Sequence, residues 1–297
     1  MSGRAAELIL RSDTLEVVLL PEVGGRLHAV RADGRDLLRT PDDADAHRRD
    51  PFFWGAYPMA PWCNRAAAGE RVVAGERVRL APNFPDGSAI HGLVSSAPWE
   101  VRDGGAELAI RSGGAGSGWP WPFEVTLRPS VDGARLELDY RLTNLADRPM
   151  PAGIGLHPWF RRPLEVRLPA ALVYPTNTDS AAEPEPVAGE LDMRGRRTPA
   201  SDLDGSWTGL TEPRFDLAWP ATGLMARVEA RTDAGRPVVA LASPGDVEAM
   251  AIEPQTHGPD PLRRLELGQP DAPLLLEPGG ELRLVIGIAI GQARDLR

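Results

Sequence analysis

Glycine and proline set the first limit on this chain, with 31 of one and 30 of the other in 297 residues. Proline lacks the amide hydrogen and clashes with the preceding helical turn, and glycine gives up the most backbone entropy in a helix, so long helices have little room. The segments left between these residues alternate apolar and polar positions at the two-residue period of a half-buried strand. ELILRS, TLEVVLLP, GRLHAV and DLLR read this way in the first forty residues, with a turn at Ala32–Asp33–Gly34. Residues 70–81 predict a hairpin pivoting on Ala74–Gly75, and residues 123–142 a longer one around Asp132–Gly133. LEVRL, LMARVEART with VVALASP across Asp233–Ala234–Gly235, VEAMAIEP and LRLVIGIAIG continue the theme, and no amphipathic helix stands out. The expectation is an all-β protein in which large antiparallel sheets stack as a sandwich. Residues 40–69, 81–97, 112–122 and 175–222 read as long irregular loops, with LDGSWTGL (203–210) inside the last, and loops of that length usually carry function. With no repeat and no low-complexity linker, residues 1–297 are expected to form a single domain.

Charge and cysteine content narrow the partners. The net charge of −9 opposes nucleic acid and anionic membrane surfaces, leaving a small neutral molecule as the expected ligand. All 33 basic residues are arginine, which removes lysine Schiff-base chemistry and a P-loop lysine. Cys63 is the sole cysteine, so an intrachain disulfide, a cysteine-rich zinc site and an iron–sulfur site are excluded. The N-terminal MSGRAAELILRSD holds too short an apolar run for a signal peptide, and no stretch approaches a membrane span, so a cytoplasmic protein is expected.

Reactive side chains cluster in PWCNR (61–65), AIHG (89–92), GLHPWF (155–160) and IEPQTHGPD (252–260), each near the end of a predicted strand. A metal site is possible in principle from His91, His157 and Glu253, but no HxH or HxxxH spacing occurs, so none is expected. Trp54, Trp62, Trp159 and Trp207 fall near these segments and offer flat apolar faces to a small ligand.

The order of these segments, from GGRL through NR, AIHG and GLHPWF to EPQT, resembles the aldose 1-epimerase (galactose mutarotase) family over nearly the whole chain. The resemblance implies a galactose mutarotase-like supersandwich and cofactor-free interconversion of the α and β anomers of a free aldohexose. Matched by position, it implies Glu253 as general base and His157 as general acid, with His91, Arg65 and Asp204 binding sugar or stabilising charge. Asp216 in RFDLAW competes with Asp204 for the acidic sugar-binding position. For these roles the carboxylate is available at its ordinary pKa, whereas His157 needs a raised one, which a neighbouring acid such as Asp204 would supply. HPWF in place of an asparagine-containing form, AIHGL without a second glycine, and His257 close after Glu253 depart from the commoner pattern and bear on substrate choice. His257 either enters the pocket and tunes Glu253 or faces solvent. Three other readings stay open: a phosphosugar epimerase using Arg161–Arg162, a non-catalytic sugar-binding protein, and a glycoside hydrolase using Asp204 with Glu253.

Overall fold

The long hairpin shows how the alternating pattern becomes structure. Phe123–Asp132 and Arg135–Asn144 pair antiparallel without interruption from Phe123 opposite Asn144 to Asp132 opposite Arg135. Phe123, Val125, Leu127, Leu136, Leu138, Tyr140 and Leu142 all turn to the interior and are buried. This computed structural model describes residues 6–177 and 182–292, so the first five residues of the N-terminal segment lie outside the described residues. The short hairpin forms as expected, Gly69–Val73 pairing with Glu76–Leu80 around Ala74 and Gly75.

An eight-stranded sheet runs in the order Glu100–Arg102, Glu107–Ser112, Phe123–Asp132, Arg135–Asn144, Glu281–Gln292, Leu224–Thr232, Arg214–Trp219 and Glu165–Arg167. The second sheet has eleven strands. Its centre runs Arg26–Ala32, Ala56–Met59, Gly155–Arg161, Ala249–Gln255, Val238–Ala242, Asp204–Leu210 and Ala170–Tyr174. The pairings within both sheets are antiparallel. One apolar core joins them, with Val17, Leu156, Ile252 and Trp207 of the larger sheet in the same cluster as Leu127, Leu138, Ile286 and Val228 of the smaller. The all-β sandwich expectation therefore holds.

Three expectations about segments change. LDGSWTGL is not a loop: Asp204–Leu210 is an interior strand buried along both faces, which is why alternation is missing from its sequence. The stretch 40–69 likewise contains Ala56–Met59, with all four residues buried. Across Asp233–Ala234–Gly235 the chain crosses from the eight-stranded sheet to the eleven-stranded one instead of forming a hairpin. Two short helices, Ala46–Arg49 and Pro261–Leu267, were not signalled by any amphipathic pattern. No helix among the described residues is long and apolar enough to cross a membrane.

Candidate active site

Strand register builds the site. Tyr57 lies opposite His157. The pairs Gly155 with Gln255 and Trp159 with Ala251 put His157 opposite Glu253, and Glu253 in turn lies opposite Ala240. One residue pair further along, Ala251 faces Ala242, which faces Asp204. Because every second residue of a strand shares a face, Tyr57, His157, Trp159, Glu253, Ala242 and Asp204 all project from the same side of the sheet. The alanines leave a trough between the larger side chains. The result is a cavity of about 270 Å³ lined by these residues together with Asn64, Arg65, His91, Asn177, Asp202 and the rings of Phe52, Phe53 and Phe84.

At its floor the Nε2 of His157 stands 3.1 Å from Oε1 of Glu253, and both side chains are almost wholly withdrawn from water. The amide of Gln255 donates to Oε2 of Glu253 at 2.8 Å, fixing the carboxyl plane. His91 has φ 61°, and its Nδ1 accepts the backbone N–H of Asn64 at 3.2 Å, so its Nε2 is the nitrogen left to act as a donor. Gly92, at φ 72°, follows because a Cβ there would overlap the carbonyl oxygen of Ala60. Arg65 bridges Asp86 at 2.8 Å and Asp204 at 3.3 Å. The amide of Asn177 donates to Asp204 at 2.6 Å and accepts from the Ser206 hydroxyl at 2.6 Å.

A sequence profile of the aldose 1-epimerase family matches residues 7–186, more than half of the chain. The chain belongs to the aldose 1-epimerase family. Solved structures agree on the fold. A provisionally assigned aldose 1-epimerase from Escherichia coli K12 is 20% identical with a TM-score of 0.81, over 97% of this chain and 99% of that one. A galactose mutarotase-like protein from Clostridium acetobutylicum is 17% identical with a TM-score of 0.81, over 96% and 94%. Galactose 1-epimerase from Lactobacillus acidophilus NCFM is 19% identical with a TM-score of 0.73, over 96% and 94%. No curated protein matches the chain.

All five residues matched to the aldose 1-epimerase pattern, Arg65, His91, His157, Asp204 and Glu253, line one cavity although they come from distant parts of the chain. Asp216 lies on the other sheet, held by Arg227 and Arg167 at 3.1 and 3.5 Å, and is absent from the cavity lining. Of the four tryptophans only Trp159 reaches the cavity. Trp62 and Trp207 are core residues, and Trp54 lies under the Arg39 guanidinium. His257 neither faces solvent nor lines the cavity: it is fully buried, accepts the Cys63 N–H at its Nε2 and donates from Nδ1 to the Gly258 carbonyl. Arg161 spends its Nε on the Leu38 carbonyl, and Arg162 lines a different cleft with Asp246 and Glu248. Tyr57, Asn64, Asn177, Gln255 and the phenylalanines of the wall were missed. Asn64 and Gln255 sat inside the matched motifs PWCNR and IEPQT, whereas the others carry no motif.

The protonation expected of Glu253 and His157 is reversed. Burial pushes the Glu253 carboxyl up to about 8, reinforced by the charge of Asp204. Burial likewise pulls the His157 imidazole down to about 3. Loss of hydration disfavours charge on either partner, so at neutral pH the pair holds one proton on the carboxyl–imidazole hydrogen bond. Among the described residues no group of three His, Cys, Asp or Glu side chains is arranged to hold a metal ion.

Proposed function

We propose that this protein is an aldose 1-epimerase acting on a free aldohexose, with Glu253 as general base and His157 as general acid. The observation that carries the reading is the buried pair at 3.1 Å on the floor of the cavity. Anomer interconversion needs one group to take a proton and another to give one in the same event, and a pair sharing one proton supplies both. Sugar hydroxyls entering the cavity replace part of the lost hydration and favour the carboxylate–imidazolium form. The carboxylate of Glu253 then takes the anomeric hydroxyl proton while the imidazolium of His157 protonates the ring oxygen. The C1–O5 bond breaks as the C1=O1 bond forms. After rotation about C1–C2 the same groups return their protons in reverse and close the ring on the other face. In this reading His91 Nε2 and Arg65 donate to sugar oxygens, and Asp204 and Asn177 accept from hydroxyls. We read the chain as one catalytic domain working in the cytoplasm, in keeping with its single free cysteine.

A free sugar is favoured over a phosphorylated one by the charges on the wall. Arg65 is already paired with two carboxylates, and Asp202 adds a further negative group, so a phosphate entering here meets net repulsion. The proton pair also weighs against a binding-only protein, since recognition alone needs no acid and base. The test is polarimetry of freshly dissolved α-D-glucose and α-D-galactose with the protein and with Glu253→Gln. Acceleration lost in the variant is the expected result, and no acceleration with either sugar overturns the reading. Release of reducing sugar from a glycoside would instead identify a hydrolase.

A further inference from the structure

An acid–base imidazole is ordinarily aimed by a hydrogen bond from its second ring nitrogen. His157 has that device only in weak form: Nε2 faces Glu253, and the buried Nδ1 has the carbonyl of its own residue near it but makes no well-formed hydrogen bond among the described residues. Rings enclose it. Tyr57 stacks on it at 4.6 Å between centroids with 19° between planes. His91 stands edge-on at 4.9 Å and 85°, and Trp159 leans over it at 5.2 Å and 39°. We propose that Tyr57 is a positioning residue whose ring, clamped against the imidazole, stands in for a well-formed hydrogen bond and holds His157 Nε2 on the reacting atoms.

Tyr57 is well placed to do this. It is the cross-strand partner of His157, so backbone pairing delivers the two rings to the same face. It is wholly buried and cannot swing away. Phe52 meets it edge-on at 6.3 Å, and the Arg26 guanidinium lies 5.2 Å from its ring centroid. Arg26 is itself immobilised: it is fully buried and donates to the carbonyls of Val23, Pro51 and Ser95. The phenol oxygen makes no hydrogen bond among the described residues, so packing alone fixes the ring plane.

The proposal rests on the acid–base reading of His157, and its test separates the two. Tyr57→Met keeps bulk but removes the plane, and Tyr57→Phe keeps the plane but removes the hydroxyl. With the mutarotase assay, Tyr57→Met should lower kcat about 30-fold with KM within about twofold, since a misaimed catalytic group costs rate more than binding. Tyr57→Phe, which keeps the plane, should lose about fivefold less kcat than Tyr57→Met. In parallel, long-range ¹H–¹⁵N correlation spectra of ¹⁵N-histidine protein should show the His157 ring as one sharp tautomer in the parent and in Tyr57→Phe, and broadened in Tyr57→Met. Parent-like kcat and spectra in Tyr57→Met, or equal loss in Tyr57→Phe, overturn the clamp. Exchange broadening of His157 in the parent protein also overturns it, even if Tyr57→Met fails to fold. A parent inactive on every sugar but with the expected spectra would sink the mutarotase reading and leave the clamp standing.

Discussion

The Nε2 of His257 accepts the backbone N–H of Cys63 at 3.0 Å, tying together two positions 194 residues apart. Its Nδ1 donates to the Gly258 carbonyl at 2.8 Å, so the ring is a neutral bridge, and burial pulls its pKa down to about 4. Gly153 is required beside it, because a Cβ there would overlap the imidazole. The bridge holds the segment that presents Asn64 and Arg65 to the cavity.

Replacing His257 with Phe leaves the Cys63 N–H buried and unpaired, which costs about 1–3 kcal/mol. Thermal unfolding should show a melting temperature lower by several degrees, and KM should rise more than kcat falls because Arg65 follows Cys63. An unchanged melting temperature would refute the bridging role.

Glu253→Gln should lower kcat by about a thousandfold while leaving KM close to the parent value. Its effect on stability has the opposite sign. The folded carboxyl, raised from 4.5 to about 8, keeps a proton that the unfolded chain has released. That contribution is complete below pH 4.5 and is lost as pH rises through about 8. The glutamine variant should therefore gain melting temperature over the parent at pH 8.5 and lose that advantage near pH 4.5. A constant difference across this range would show that the carboxyl is not raised.

The same proton sets the activity profile. Above about pH 8 the pair loses its one proton and no acid remains, so kcat/KM should fall tenfold per unit. On the acid side the imidazole takes a second proton only near pH 3, and burial makes that charging a route to unfolding. Rate and circular dichroism measured together over pH 4–10 check both limbs, and a rate that stays level to pH 10 contradicts the assignment.

Gly92→Ala tests how His91 is aimed. At φ 72° and against the Ala60 carbonyl, the added methyl must displace backbone, at a cost of about 2 kcal/mol or more. A lower melting temperature together with a raised KM is expected. Loss of stability with unchanged kinetics would remove His91 from substrate binding.

Asp204→Ala and Asp216→Ala form a matched pair. The first should raise KM roughly tenfold through lost sugar contacts and a freed Asn177 amide. The second strips Arg227 of its carboxylate, while Arg167 keeps Glu212 at 3.1 Å, and should reduce stability without touching KM. Equilibrium binding of the unreactive sugar 1-deoxygalactose separates the two effects.

Two of the three expected hairpins were legible because their signals are local, whereas which sheet the strand after Asp233–Ala234–Gly235 joins is not a local property. Ala74–Gly75 sits where the sequence puts it, and the longer turn lies within one residue of Asp132–Gly133. Asp204–Leu210 and Ala56–Met59 were not, because strands covered on both faces lose the alternation that marks a strand. The five residues at matched positions that line the cavity were readable through motif order. Tyr57 and Asn177 were not, since their roles depend on what lies across the sheet. The proton's location escaped for a similar reason: a residue's type gives its pKa in water, and only burial tells how far it moves.

The strands that carry Tyr57, His157 and Glu253 lie side by side and that of Asp204 lies across one intervening strand, yet long stretches of chain separate them in sequence. Until residues around 253 have joined the sheet, neither the proton pair nor the trough beside it exists. Pairings of such wide sequence separation form late and slowly. Recovery of catalysis during refolding would therefore lag behind recovery of the local hairpins, making turnover a clock for the last stage of assembly.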